Sequence, residues 1–459
     1  MVAFQENSAK HVETKELPKI RESRLLQTIW AIGNPIDYLE RMGKRYGDIF
    51  LAEFIGFPSQ LAISNPQAIQ EVFTADAKLF SSGVGNLAEP LLGANSLVLL
   101  DGDRHKQQRK LLMPSFHGER MRAYGHLMGD ITKQVMNRLQ VGQTFVVRQY
   151  MQEISLRIIL QAVFGLKEGE RYEQIRTTLT EMLDSFNTPF KTLFLLFKVL
   201  QVDLGNLSPW GHFLRKRDLL DRLLYQEIHE RRTQPESLGE DILSLLISAK
   251  DETGQPMTDV ELRDELMTML FAGHETTAIA LAWALYWIHY IPEVREKLLQ
   301  ELNSIDIANI EPVEIAQLPY LNAVCLETLR IYPVVVAALN RVLQAPMQLM
   351  GYELPEGMTL SVSIYATHHR SDLYPEPKQF KPERFLERQF SPYEYLPFGG
   401  GNRRCLGMAF AMFEMKLVLA TILSHNSFTL AEKRPLFPVR RGLTFAPNGG
   451  VRLMLKERR

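Results

Sequence analysis

The sequence predicts a mainly α-helical fold that carries a small β portion. Three observations lead there. Helical patterning runs from Pro66 to about Gln300 and is broken only by short loops. Within it, the stretch from Thr258 to Tyr290 is bounded by a capping box and a proline stop. Strand-like pieces cluster at Tyr46 to Ser64 and at Val342 to Tyr365, so the sheet is drawn from both ends of the chain.

The elements follow in order. Residues 1–26 are polar and of mixed charge and are expected to be loosely ordered; residues 27–459 are expected to form a single domain. Tyr46 to Ser64 reads as two strands joined by a turn at Gly56 to Pro58. In the long helix, Thr258 and Glu261 fit a capping box, in which the threonine oxygen accepts a free backbone N–H and the glutamate reaches back. The helix stops at Ile291-Pro292, because the residue before a proline avoids helical backbone angles. Some 32 residues make a rod of about 48 Å. Its second half, Ala278 to Ile288, is apolar nearly all round and is expected to cross the protein's interior. After it come strands with turns at Gly351 and Pro355 to Gly357, a proline- and aromatic-rich loop from Asp372 to Gly401, a helix from about Cys405 to Ser424, and two strand candidates in the tail.

Composition narrows the functional classes. The chain has 459 residues, 46% of them hydrophobic, enough for a large core. A net charge of −1 gives no global basic field, which argues against a nucleic-acid partner. Two cysteines, Cys325 and Cys405, are too few for a disulfide scaffold. No run reaches the roughly 20 apolar residues of a bilayer span, and the N-terminus lacks the order of a secretory signal. A soluble, cytoplasmic monomer is expected. Phe190 to Val202 is strongly apolar with two lysines. It is read as a core-facing helix, with a pocket lid or a peripheral membrane contact as the alternatives.

The richest chemistry lies at Phe398-Gly-Gly-Gly-Asn-Arg-Arg-Cys405-Leu-Gly407. Three glycines let a backbone turn tightly and approach another group. A cysteine at a helix start is favoured as thiolate by the unpaired N–H groups there, by roughly 0.3–1 kcal/mol. Arg403 and Arg404 add positive charge. Alone, such a cysteine could equally be a redox-sensing thiol or a nucleophile.

The pattern F-x-x-G-x-x-x-C-x-G, read here at Phe398, Gly401, Cys405 and Gly407, resembles the haem-binding loop of the cytochrome P-450 family of haem-thiolate monooxygenases. Three further motifs agree: Glu327-Thr-Leu-Arg330, Pro382-Glu-Arg-Phe385 and Ala272-Gly-His-Glu-Thr-Thr277. The resemblance extends from about Tyr38 to the C-terminus and points to a soluble bacterial-type member. It implies the family's helical haem domain, haem b with Cys405 as axial thiolate, and dioxygen as co-substrate. A thiolate ligand favours cleavage of the O–O bond. It also implies that Arg403, His105 and Arg109 hold the haem propionates. Residues 105 and 109 are four apart and can reach one edge of a ligand. Arg341 is a further candidate. Glu327, Arg330 and Arg384 would form a buried structural network fixing the cysteine loop.

In the long helix, Ala272 and Gly273 match the family's oxygen groove. Gly273 weakens the helix by about 1 kcal/mol relative to alanine, and a helical threonine at 276 can bond back to the Ala272 carbonyl. The resemblance gives Thr276 the role of steadying oxygen and its waters, and Glu275 that of bringing protons from solvent. His274 receives no role, nor does Cys325.

No flavin or ferredoxin module is apparent, so electrons are expected from a separate ferredoxin or flavodoxin-type donor with its reductase. Lys106, Lys110, Arg120, Arg122, Arg404 and Lys416 could form its cationic docking patch. Substrate-pocket candidates are Leu97, Val98, Phe271, Val334, Val335, Ala337 and Ala338, with Ala272, Val336 and the apolar stretch near Phe190. They are aliphatic or aromatic, which suits a hydrophobic fatty acid or terpenoid-like molecule. Phe54 to Leu61 offers no basic residue for a carboxylate. A peroxide-using or isomerising haem-thiolate enzyme and a non-catalytic haem sensor are the rival classes; Glu275 and Thr276 argue against both.

Overall fold

A computed structural model describes residues 15–82, 85–116, 120–166, 168–184, 200–205, 207–234, 236, 238–307 and 309–459. The Phe190 to Val202 expectation therefore falls almost wholly outside the described residues. The helices are α1 (Arg24–Gly33), α2 (Pro35–Tyr46), α3 (Pro66–Thr74), α4 (Gly85–Leu92), α5 (Gly102–Leu112), α6 (Arg120–Met136), α7 (Val147–Phe164) and α8 (Glu170–Asp184). They continue with α9 (Pro209–Thr233), α10 (Ile242–Ser248), α11 (Asp259–Tyr290), α12 (Pro292–Asn303), α13 (Pro312–Ile315), α14 (Pro319–Ile331), α15 (Ile364–His368), α16 (Arg384–Glu387) and α17 (Met408–His425).

The strands are β1 (Ile49–Ala52), β2 (Gln60–Ile63), β3 (Phe80–Ser82), β4 (Thr144–Val146), β5 (Arg341–Leu343), β6 (Met347–Leu349), β7 (Tyr352–Leu354), β8 (Thr359–Val362), β9 (Asn426–Leu430), β10 (Pro438–Arg441), β11 (Thr444–Pro447) and β12 (Arg452–Arg458). The largest sheet has the order β1-β2-β8-β5-β3, which joins the early and late strand regions as expected. β2 and β8 run parallel, with Leu61 beside Leu360. A second sheet, β4-β12-β9, adds a strand at residues 144–146 that the helical reading missed. β4 is only three residues long and exists through its pairing with β12, so no local pattern marks it.

α11 spans the predicted residues. Thr258 and Glu261 make the reciprocal capping box, and the Ile291 N–H closes the last turn on Trp287 O. Residues 262–270 and 277–289 are buried throughout. α7 packs along α11, and α17 lies against α6 and α11. By length and composition α17 could cross a membrane, but it is mostly enclosed by the rest of the fold.

Candidate functional site

The cysteine loop departs from one expectation. α17 begins at Met408, with Gly407 as its N-cap, and Gly401–Arg403 is a short 3-10 turn. Cys405 thus lies three residues before the helix. The chain folds back there, and the Cys405 N–H donates to Phe398 O at 2.9 Å. Gly399 and Gly401 hold left-handed backbone angles, φ 66° and 63°. A Cβ on Gly400 would fall on the Phe73 ring, and one on Gly401 would stand 2.7 Å from Phe73 O. The three glycines therefore serve both the turn and a close approach to α3.

Water reaches the Cys405 thiol, yet protein surrounds it on nearly every side, as at the floor of a narrow opening. Burial pushes the thiol up, while the Gly407 N–H, Arg109 and Arg404 pull it down. Arg404 and Arg109 are the cations facing the sulfur. Arg403 turns the other way: it ion-pairs with Asp101 and donates to Leu97 O at 3.2 Å.

Four cationic or potentially cationic side chains from three stretches of chain converge here. His105 is buried, and burial with Arg403 and Arg109 nearby lowers its pKa to about 4. Burial also lowers Arg109, Arg403 and Arg341, the last to about 10, and Arg403 faces both of the others. Asp101 is the carboxylate facing Arg403. Mutually depressed buried cations suit a ligand edge bearing negative charge. Arg341 is committed further than expected: its guanidinium donates to Val72 O and Gly400 O, each at 2.9 Å, and so also braces the cysteine loop.

Behind the loop, Glu327 and Arg330 are wholly buried and pair at 2.6 and 2.8 Å. Glu327 also receives Arg384 Nε at 3.2 Å and the Lys381 N–H at 2.8 Å. Arg330 donates to the carbonyls of His368, Pro377 and Gln379. His368, unforeseen from sequence, accepts the Leu396 N–H at 2.9 Å and stacks on Tyr395. The network thus ties α14 to the chain entering the cysteine loop.

α11 is opened in its middle. Between its two buried runs, Ala272 is exposed and Phe271, Gly273, Glu275 and Thr276 are half-buried. Thr276 Oγ1 donates to Ala272 O at 2.7 Å, as expected. A Cβ on Gly273 would stand 2.7 Å from Ile159 Cδ1 of α7, the tip of a side chain that would have to shift to admit it. Glu275 is hydrogen-bonded by Gln152 and lies 3.7 Å from Arg148, both on α7, two partners that no local pattern announces. His274 is buried with Nδ1 3.0 Å from Leu270 O.

Among the pocket candidates, Val98 shares a small cleft with Arg341 and Arg403. The Leu97 N–H donates to Glu265 of α11 at 2.8 Å. Val334 and Phe271 join the helical core, whereas Val335 and Ala338 pack on the sheet side. Ala337 bridges to Ser363. The cationic patch is thinner than expected: Lys110 pairs with Glu252, Arg122 pairs with Glu311, and Lys416 donates to Ala316 O.

The cytochrome P450 family model matches residues 23–451. A relative named cytochrome P450 135B1 from Mycobacterium bovis is 34% identical over 444 residues, covering 96% of this chain and 92% of its own. One named cytochrome P450 135A1 from Mycobacterium tuberculosis is 31% identical over 446 residues, covering 96% and 95%. The structure of retinoic acid-bound cyanobacterial CYP120A1 superposes with a TM-score of 0.84 at 27% identity, over 97% of this chain and all of that one.

Proposed function

The chain belongs to the cytochrome P450 family of haem-thiolate monooxygenases, and from that premise we propose that Cys405 supplies the thiolate and that the opening in α11 receives dioxygen beside a hydrophobic substrate. The observation that carries this is the gathering of His105, Arg109 and Arg341 about Arg403, with Arg109 also facing a water-accessible cysteine. The donor set fits the haem. Two propionates would offset buried cations that otherwise oppose one another, and the braced loop presents a single sulfur. When bound, the haem supplies the activation of dioxygen at the expense of two electrons from a redox partner.

The remaining work falls to side chains. His105, Arg109 and Arg403, with Arg341 behind the loop, orient the cofactor's edge. Phe398, Gly401 and Gly407 shape the turn that holds Cys405. Arg109, Arg404 and the Gly407 N–H hold negative charge on the sulfur. Ala272 and Gly273 keep the α11 surface low where a small molecule must lie. Thr276 orients water at the opening, and Glu275 carries protons to it from solvent. Leu97, Val98, Phe271, Val334, Val335, Ala337 and Ala338 offer apolar side chains for it, which suits a fatty acid or an isoprenoid. The electron donor is a ferredoxin or flavodoxin, and Lys106, Arg120 and Arg404, which make no ion pair among the described residues, are the cations left to attract it.

Retinoic acid, the ligand in the cyanobacterial structure, is an isoprenoid chain ending in a carboxylate and is the first compound to test. Purified ferric protein titrated with retinoic acid, long-chain fatty acids and sesquiterpene hydrocarbons should move from low to high spin with one of these classes. A normal haem spectrum that none of them shifts would overturn the substrate class. Loss of the thiolate spectrum in protein that retains Cys405 would overturn the ligand assignment.

A further inference from the structure

The loop from Gly93 to Asp101 joins α4 to α5 and is tied to the first half of α11. Three consecutive loop residues meet three α11 side chains. The Asn95 N–H and Nδ2 donate to Asp264 Oδ2 at 2.9 and 3.0 Å. Ser96 Oγ and Thr268 Oγ1 are 2.7 Å apart, and Thr268 gives its own proton to Asp264 O, so Ser96 is the donor. The Leu97 N–H donates to Glu265 Oε1 at 2.8 Å. The Val98 N–H donates to Ser96 Oγ at 3.3 Å. Both peptide units flanking Leu97 are thereby tied to α11, the first directly and the second through Ser96. A trans peptide unit is planar, with its N–H and C=O pointing opposite ways, so holding the Val98 N–H aims the Leu97 carbonyl. That carbonyl accepts from Arg403 Nη1 at 3.2 Å, and Arg403 Nη2 pairs with Asp101 at the end of the same loop.

We propose that Glu265 and Thr268 are positioning residues that hold the Leu97 carbonyl, and through it Arg403, in the pose in which the guanidinium meets a haem propionate. This rests on the reading of Arg403 as a propionate partner. The guanidinium needs such a hold. Arg109 faces it and repels it, while Asp101 attracts it. A guanidinium paired at Asp101 alone can pivot about that contact, and the Leu97 carbonyl supplies the second point that fixes its planar fork. Glu265 is 1% exposed, and no cation pairs with it among the described residues. Burial pushes its carboxyl up to about 8, although the Leu97 N–H and Gln108 of α5 pull it down. An apolar side chain in its place would leave the Leu97 N–H buried without an acceptor. An uncharged carboxyl offers a carbonyl oxygen to that N–H, and a glutamine amide offers the same group. Ala272 stands one turn beyond Thr268, so one helix sets both the cofactor's edge and the proposed dioxygen opening.

The test uses haem-loaded protein and reads two quantities: the rate at which haem passes to excess apomyoglobin, and the propionate bending band in the resonance Raman spectrum of the ferric protein. Glu265→Leu removes the acceptor, Thr268→Val removes the hydroxyl and keeps the branched shape, and Glu265→Gln keeps an acceptor. Glu265→Leu and Thr268→Val should shift the band and speed haem transfer about tenfold and about threefold, with Glu265→Gln close to the parent. In an Arg403→Ala background, which already lacks the guanidinium, the first two substitutions should add no further speed, because both act through Arg403. A general loosening of the fold would speed transfer equally in the two backgrounds. If Arg403→Ala leaves the band and the transfer rate as in the parent, the propionate reading fails and takes the proposal with it. If Arg403→Ala changes both, while Glu265→Leu and Thr268→Val change neither or speed transfer as much without Arg403 as with it, the positioning role alone is overturned. Should Glu265→Leu yield no folded protein, Thr268→Val decides the same comparison.

Discussion

Around Cys405 the backbone is held from many directions; along α11 at Ala272 to Thr276 it is held from few. The cysteine loop receives Arg341 on Gly400 O, Phe73 against Gly400, and the His368 ring at Leu396, with Glu327 and Arg330 wholly buried behind it. The α11 opening shows an exposed Ala272, a threonine bonded to its own helix, and an acid held by two partly buried partners. The first region must keep one sulfur in one place whatever binds. In the proposed function the second must admit a small molecule, water and protons. Substitutions should therefore act on folding and haem retention on one side, and on chemistry with little change in folding on the other.

The largest expected effect is at Glu327. Replacing it with alanine leaves Arg330 and Arg384 without their carboxylate inside the protein, which costs roughly 3–5 kcal/mol. Haem per chain after purification should fall sharply, and the thermal midpoint with it. Normal haem content in Glu327→Ala would show that the network does not position the loop.

Next comes Glu414 on α17, fully buried beside the Ser155 hydroxyl of α7. Burial pushes its carboxyl up from 4.5 to about 8. As pH rises, the unfolded chain gives up this proton first and the folded one later. The stabilisation is therefore complete below about pH 4.5 and is lost progressively toward pH 8. Glu414→Gln removes the titration, so the variant should gain about 3 kcal/mol over the parent between pH 5 and pH 8. Urea midpoints at the two pH values measure this, and parallel pH slopes for the two proteins would refute it. Gly400→Ala follows at about 1–3 kcal/mol, the range for overpacking a filled site. The clash is with one ring, so adding Phe73→Leu should recover part of the loss in thermal midpoint. No recovery would place the strain elsewhere.

Much of this contrast was legible before any coordinates. The Thr258–Glu261 box and the Ile291-Pro292 stop are local signals, and they bound α11 correctly. The glycine run announced a tight loop, and the i, i+3 spacing of Glu327 and Arg330 announced a pair. Other features are long-range and leave no local trace. Arg341 reaches Val72 and Gly400 across 269 and 59 residues. Gln152 meets Glu275 across 123 residues. His368 is one buried histidine among others until Leu396 is beside it. The helix after Cys405 was expected three residues too early. The bond from the Cys405 N–H to Phe398 O, a contact made by the folded loop, shows that the helix has not begun there.

The smallest effect on folding, and the sharpest test of the contrast, belongs to Thr276→Ala. Thr276 is half-buried, and its hydroxyl donates to the Ala272 carbonyl, an acceptor that the opening leaves within reach of water. Losing that bond should change stability by no more than about 0.5 kcal/mol, and haem content should match the parent. In the proposed function the hydroxyl is also the group that orders water where protons arrive. Its loss should lower product formed per NAD(P)H by about tenfold, with the missing electrons recovered as hydrogen peroxide. Stability and coupling measured on the same preparation separate the two regions. If Thr276→Ala lost haem or melted early, the opening would be part of the rigid frame after all. If coupling held, the protons would be arriving by a route that bypasses α11.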